Sequence, residues 1–197
     1  QRQGTLFVPA SLCTGLHSED GSQPAETVPL VVVAHGFTSS PAAMLKKFRA
    51  ASELYRVALL LPAGFGKSWN AEVCCGPALK DNVNDVGFIR AFTLQFLSAS
   101  TQPDSDTSLA PDSADIPPER DETFKRVSPV VDGEDTKSNQ VNVTFTRKLS
   151  YMTGHSNGGY MTSKMANYLF FDAVAPMSGH VYSLAPLPPQ PIMLSWS

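Results

Sequence analysis

Gly154-His155-Ser156-Asn157-Gly158 sets a serine between two glycines, after the apolar run Leu149–Thr153 and before a stretch where Met161, Met165 and Leu169 recur at helical spacing. A serine on so tight a strand-to-helix turn has its hydroxyl lifted clear of the sheet, and glycines at these offsets remove Cβ atoms that would collide there. The chemistry this suits is nucleophilic attack on a carbonyl. The pentapeptide alone also suits a plain glycine-rich turn; the strand before it and the helix after it favour the nucleophile. Because a serine hydroxyl is a weak nucleophile at neutral pH, Ser156 needs a histidine to take its proton and a carboxylate to orient that histidine. It also needs two backbone N–H groups for the developing oxyanion. Asn157, the next residue, is expected to supply one, and Phe37 of His35-Gly36-Phe37 the other, with His35, Gly36, Gly154 and Gly158 as the supporting motif residues.

The elements that would position these groups can be read from periodicity. Val28–Ala34 and Tyr55–Leu61 are nearly continuous apolar runs, as expected of strands buried on both faces. Thr5–Val8 and Ala173–Met177 read as further strands, and Ile192–Trp196 as the start of another. Ala42–Leu54 (with Pro41 in its first turn), Asp81–Leu97 and Asn157–Asn167 read as helices. Strands alternating with helices predict the α/β class, a doubly wound, mostly parallel sheet whose ligands bind beyond the carboxyl ends of the strands. Both His35-Gly36 and Ser156 fall at such ends. Residues 98–140 differ in kind: they hold Pro103, Pro111, Pro117, Pro118 and Pro129 among many acidic and hydroxyl residues, and predict a disordered insertion in a single domain.

Composition narrows the function. The chain has 197 residues, 42% of them hydrophobic, a net charge of −3 and a pI near 5.8. Lys46-Lys47 is its main basic cluster, so no footprint for nucleic acid is expected. The apolar runs fall short of a bilayer span, which predicts a soluble protein without a membrane partner. Gly64-Phe65-Gly66-Lys67-Ser68 resembles the end of a phosphate-binding loop, yet Leu61 stands where that loop requires glycine, so nucleotide binding is set aside. Three cysteines cannot all pair within the chain. Because a disulfide between neighbours closes a strained ring, Cys13 with either Cys74 or Cys75 is the pairing expected. The sequon Asn142-Val143-Thr144 and these cysteines together lean toward an extracellular glycoprotein.

Leu30–Phe37 (LVVVAHGF), Ser68–Ala78 (SWNAEVCCGPA), Asp85–Ala91 (DVGFIRA), Tyr151–Tyr160 and Ala173–Gly179 (AVAPMSG) together resemble the successive motifs of the polyhydroxybutyrate depolymerase and feruloyl esterase-like family of α/β-hydrolases. The resemblance covers most of the chain outside 98–140. It implies a secreted, monomeric carboxylic ester hydrolase without metal or cofactor, acting on feruloyl esters of plant cell walls, polyhydroxyalkanoates or similar ester-bearing molecules. It also implies that the segment from Trp69 to Ala78 borders the substrate and that one of Cys74 and Cys75 is in a disulfide. The chain departs from the pattern in its acidic insertion, in a short Asn167–Ala173 connection, and at Ser197, where the family continues toward the catalytic Asp and His. Only Asp172 and His180 follow Ser156 as partners. Asp172 precedes a strand and so belongs at its amino end; His180 follows one and is expected near the site. His155 should point away from Ser156, and His17 lies in a polar loop. The expectation is therefore an incomplete α/β-hydrolase domain of low activity as it stands, with a non-catalytic carbohydrate- or polymer-binding protein as the alternative.

Overall fold

Val31 and Val33 of β3 (Leu30–Ala34) face one way and Leu30, Val32 and Ala34 the other, and each set packs into its own apolar cluster. The computed structural model describes residues 2–12, 26–97 and 143–179. In it β3 is the central strand of a five-stranded sheet ordered β1 (Gly4–Phe7), β4 (Ala58–Pro62), β3, β6 (Ser150–His155), β7 (Ala173–Met177). The last four run parallel, while β1 lies antiparallel on the β4 edge. On one face α1 (Pro41–Tyr55) buries Met44 among Phe7, Val33, Leu59 and Leu61. On the other, α3 (Asp85–Leu94) and α4 (Asn157–Ala166) pack Phe88, Ile89, Phe92, Met161 and Met165 onto Leu30, Val32, Leu60 and Met152.

From β3 the chain proceeds outward to β4, whereas β6 pairs on the other side of β3 and leads to β7. The order thus reverses between β3 and β6, the place where crevices open in such sheets. Ala34 and Gly154 are paired at the carboxyl end of these two strands, which brings their following loops together.

Two boundaries differ from the periodicity reading. Tyr55 ends α1 rather than opening a strand, because Arg56 reverses the chain in the left-handed region (φ 54°) and β4 begins at Ala58. Asp81 does not start the third helix. Pro77–Lys80 forms a separate short helix, α2, and Asn84 caps α3 by accepting from the Gly87 N–H at 2.9 Å. A small parallel ladder joins β2 (Glu26–Thr27) to β5 (Val143–Thr144). Residues 98–140, Ile192–Trp196, Cys13, His17, Asn142 and His180 lie outside the described residues.

Candidate active site at the carboxyl end of the sheet

Ser156 occupies the turn between β6 and α4 with φ 54° and ψ −119°. A left-handed φ is unfavourable for any residue with a Cβ and persists only where the surroundings impose it. Here the Ser156 N–H donates to the Met177 carbonyl of β7 at 2.9 Å, and the Ser156 carbonyl accepts from the Tyr160 N–H at 3.0 Å. The glycines on either side allow the turn: a Cβ on Gly154 would stand 2.8 Å from Thr162 Oγ1, and one on Gly158 would stand 2.6 Å from the His35 carbonyl oxygen. Ser156 itself is half-buried.

The loop after β3 lies against this turn. A Cβ on Gly36 would be 3.2 Å from the His155 carbonyl oxygen and 3.5 Å from Ser156 Cβ. The two segments expected to supply oxyanion donors are therefore adjacent. The N–H groups of Phe37 and Asn157 donate to no described backbone carbonyl. The Phe37 ring is 42% exposed, as is that of Phe65, and the Thr38 N–H donates to the Lys67 carbonyl at 2.9 Å, tying the Phe37 loop to the Phe65–Lys67 turn.

His35 is buried and fully engaged. The Gly64 N–H donates to its Nε2 at 3.0 Å, so Nδ1 carries the proton and donates to the Gly36 carbonyl at 2.8 Å. Burial lowers its pKa, with the Gly36 bond and Asp85 opposing that shift in part. The imidazole is thus neutral and holds the peptide that leads into Phe37. Trp69 departs from expectation: its side chain is 0% exposed, its Nε1 donates to the His35 carbonyl at 2.8 Å, and the two rings lie 5.1 Å apart. It supports the loop from beneath, with its ring closed off from solvent.

The Asn157 side chain, expected to matter only through its backbone, is buried and makes three bonds. Its Oδ1 accepts from the Trp69 N–H at 2.7 Å, and its Nδ2 donates to the carbonyls of Trp69 and Cys74, each at 3.1 Å. Further along α4, Lys164 Nζ donates to the Asn70 carbonyl at 3.2 Å and pairs with Glu72 at 3.0 Å. From beneath, the Asp85 carboxylate accepts from the Asn70 N–H at 2.5 Å and from Arg2, whose guanidinium lies 3.7 Å over the Phe88 ring. Desolvation raises the Asp85 pKa, with Arg2 and the Asn70 bond pulling against it. A sequence offers one hint of such a clamp: a polar residue inside a run of small and apolar positions at a helix start, where only a bonded amide can be buried.

Strand order, the antiparallel first strand and the turn carrying Ser156 make this an α/β-hydrolase fold. No protein-family model matches the sequence, and no curated protein matches it. Solved structures with a similar fold include a fluorophosphonate-binding serine hydrolase of Staphylococcus aureus, with 13% identity, a TM-score of 0.46, and 84% of this chain covering 47% of that one. The S-formylglutathione hydrolase of the same organism matches with 13% identity and a TM-score of 0.46, over 85% of this chain and 48% of that one. An acetyl xylan esterase of Aspergillus awamori matches with 15% identity and a TM-score of 0.41, over 86% and 44%. This chain spans about half the length of each of these proteins. At such values the likeness is loose, and the site stands on its own geometry.

The cysteine pairing is a second correction. Cys74 and Cys75 are bonded to each other, not one of them to Cys13. The objection to a neighbouring pair is met by the backbone: both residues take left-handed φ values, 43° and 97°, and Gly76 follows at 93°. His155 is exposed beside the turn, and Asp172 is exposed ahead of β7, at the opposite end of the sheet from Ser156. Among the described residues no histidine or carboxylate hydrogen-bonds to Ser156, and no group of three or more His, Cys, Asp or Glu is placed to hold a metal. Phe65–Lys67 forms a short 3₁₀ turn with no helix mounted on it, unlike a phosphate-binding loop.

Proposed function

We propose that this chain is the nucleophile-bearing part of a secreted serine carboxylic ester hydrolase. The observation that carries this reading is Ser156 at φ 54° on the β6–α4 turn with the Gly36–Phe37 loop against it. In the proposed reaction Ser156 Oγ attacks the ester carbonyl and gives its proton to a histidine outside the described residues. The oxyanion is held by the Phe37 and Asn157 N–H groups, the alcohol leaves, and water releases the acyl group. Feruloyl, acetyl and polyester substrates all suit this chemistry, and the exposed Phe37 and Phe65 rings favour an ester with an apolar or aromatic flank.

A non-catalytic protein that binds a carbohydrate or polymer surface through the same crevice is the second reading, favoured by the lack of a described base at Ser156. A fluorophosphonate probe separates the two. Labelling of the chain, abolished in Ser156→Ala, is the expected result; an unlabelled chain that is still retained on xylan or a polyester would overturn the hydrolase reading.

A further inference from the structure

Cys74-Cys75-Gly76 touches both halves of the proposed oxyanion site. On one side the Cys74 carbonyl accepts from Asn157 Nδ2 at 3.1 Å. On the other, Gly76 lies so close to the Phe37 ring that a Cβ there would stand 2.7 Å from Phe37 Cε2, with Ser68 Oγ at the same distance. Three successive residues in the left-handed region are seldom adopted by L-amino acids, and two of these three carry side chains. The Cys74–Cys75 bond closes a small ring across the first two of them. Cys74 is exposed, so a thiol can reach the bond.

We propose that the Cys74–Cys75 disulfide is a redox modification site: a dithiol reductant opens it and thereby releases the two oxyanion donors from their working positions. This rests on the esterase reading for its catalytic consequence, but not for its structural one. The step balances as thiol–disulfide exchange. The reductant's thiolate attacks one sulfur to give a mixed disulfide and releases the other as a thiolate; its second thiolate then attacks its own sulfur in that mixed disulfide and displaces the first, so the products are two protein thiols and one oxidised reductant. Once the ring is open, Cys74 and Cys75 relax toward negative φ, the Cys74 carbonyl leaves Asn157, and Gly76 withdraws from Phe37. Reoxidation restores the turn.

The test uses a Cys13→Ser protein, so that the third thiol cannot exchange, treated with dithiothreitol and followed by intact mass. Reduction is expected to slow fluorophosphonate labelling of Ser156 by about tenfold or more, since displaced donors forfeit much of their effect, and reoxidation is expected to recover it. Hydrogen–deuterium exchange over residues 69–76 and 156–160 reads the same event without activity, and both segments are expected to lose protection on reduction. Unchanged exchange in protein shown by mass to be reduced overturns the proposal, as does peptide mapping of the wild-type chain that finds Cys13 joined to either partner. If the oxidised protein fails to label, the esterase reading falls and exchange alone decides the redox site.

Discussion

The α1 face of the sheet and the sheet's carboxyl end are built by different rules. Under α1 the contacts are apolar side chains, Phe7, Val33, Met44, Leu59 and Leu61, and a buried polar group there, Ser52, is answered by the Val57 carbonyl at 2.6 Å. Around the carboxyl ends of β3 and β6, by contrast, His35, Ser68, Asn70, Asp85 and Asn157 are all buried and all hydrogen-bonded. An apolar face needs only volume and shape, and tolerates exchange among similar side chains. A polar one is costly unless every group is matched, and in return it fixes backbone positions to within a hydrogen bond. The second region holds loops where the first merely fills space.

The sharpest way to break this contrast is Asn157→Ala, which strands the Trp69 N–H and the Trp69 and Cys74 carbonyls. It is expected to cost about 3 kcal/mol in urea unfolding and to slow fluorophosphonate labelling as well. A loss of stability with no change in labelling would show that the clamp and the site are independent. Leu61→Val, on the α1 side, is expected to cost about 1 kcal/mol for the methylene removed and to leave the labelling rate alone. The smallest effect is a slope. His35 has a lowered pKa, so below about 6.5 the unfolded chain binds more protons than the folded one, and stability is expected to fall as the pH drops through that value toward the folded pKa. His35→Gln, which does not titrate, is expected to lose that part of the pH dependence; an unchanged slope would place the acid sensitivity elsewhere, Asp85 acting in the opposite sense because its folded pKa is raised.

Periodicity carried the sheet well where burial was two-sided or alternating. The β-branched run at β3 is legible because a strand covered on both faces has few ways to be written, and Ala173–Met177 because its burial alternates along the strand. Tyr55 was misplaced because an apolar residue at a helix end looks like a strand start until the left-handed Arg56 is seen. The turn at Ser156 could be read because its glycines are dictated by collisions with neighbouring backbone. What could not be read were pairings distant in sequence: Asn157 with Trp69, Arg2 with Asp85, and the choice of Cys75 over Cys13 for Cys74. Spacing along a chain holds no record of which amide will find which carbonyl across 88 residues.

Gly159 sits where a Cβ would run into the Met177 carbonyl, just as one on Gly158 would strike the Ala34 carbonyl. The first turn of α4 therefore rests directly on the backbone of β3 and β7, with no cushion of side chains between. A helix seated this way cannot slide. Any widening of the crevice must come from its rims, so that under the proposed esterase reading the Phe37 and Cys74–Gly76 segments set which acyl groups fit while the serine stays an immobile anvil.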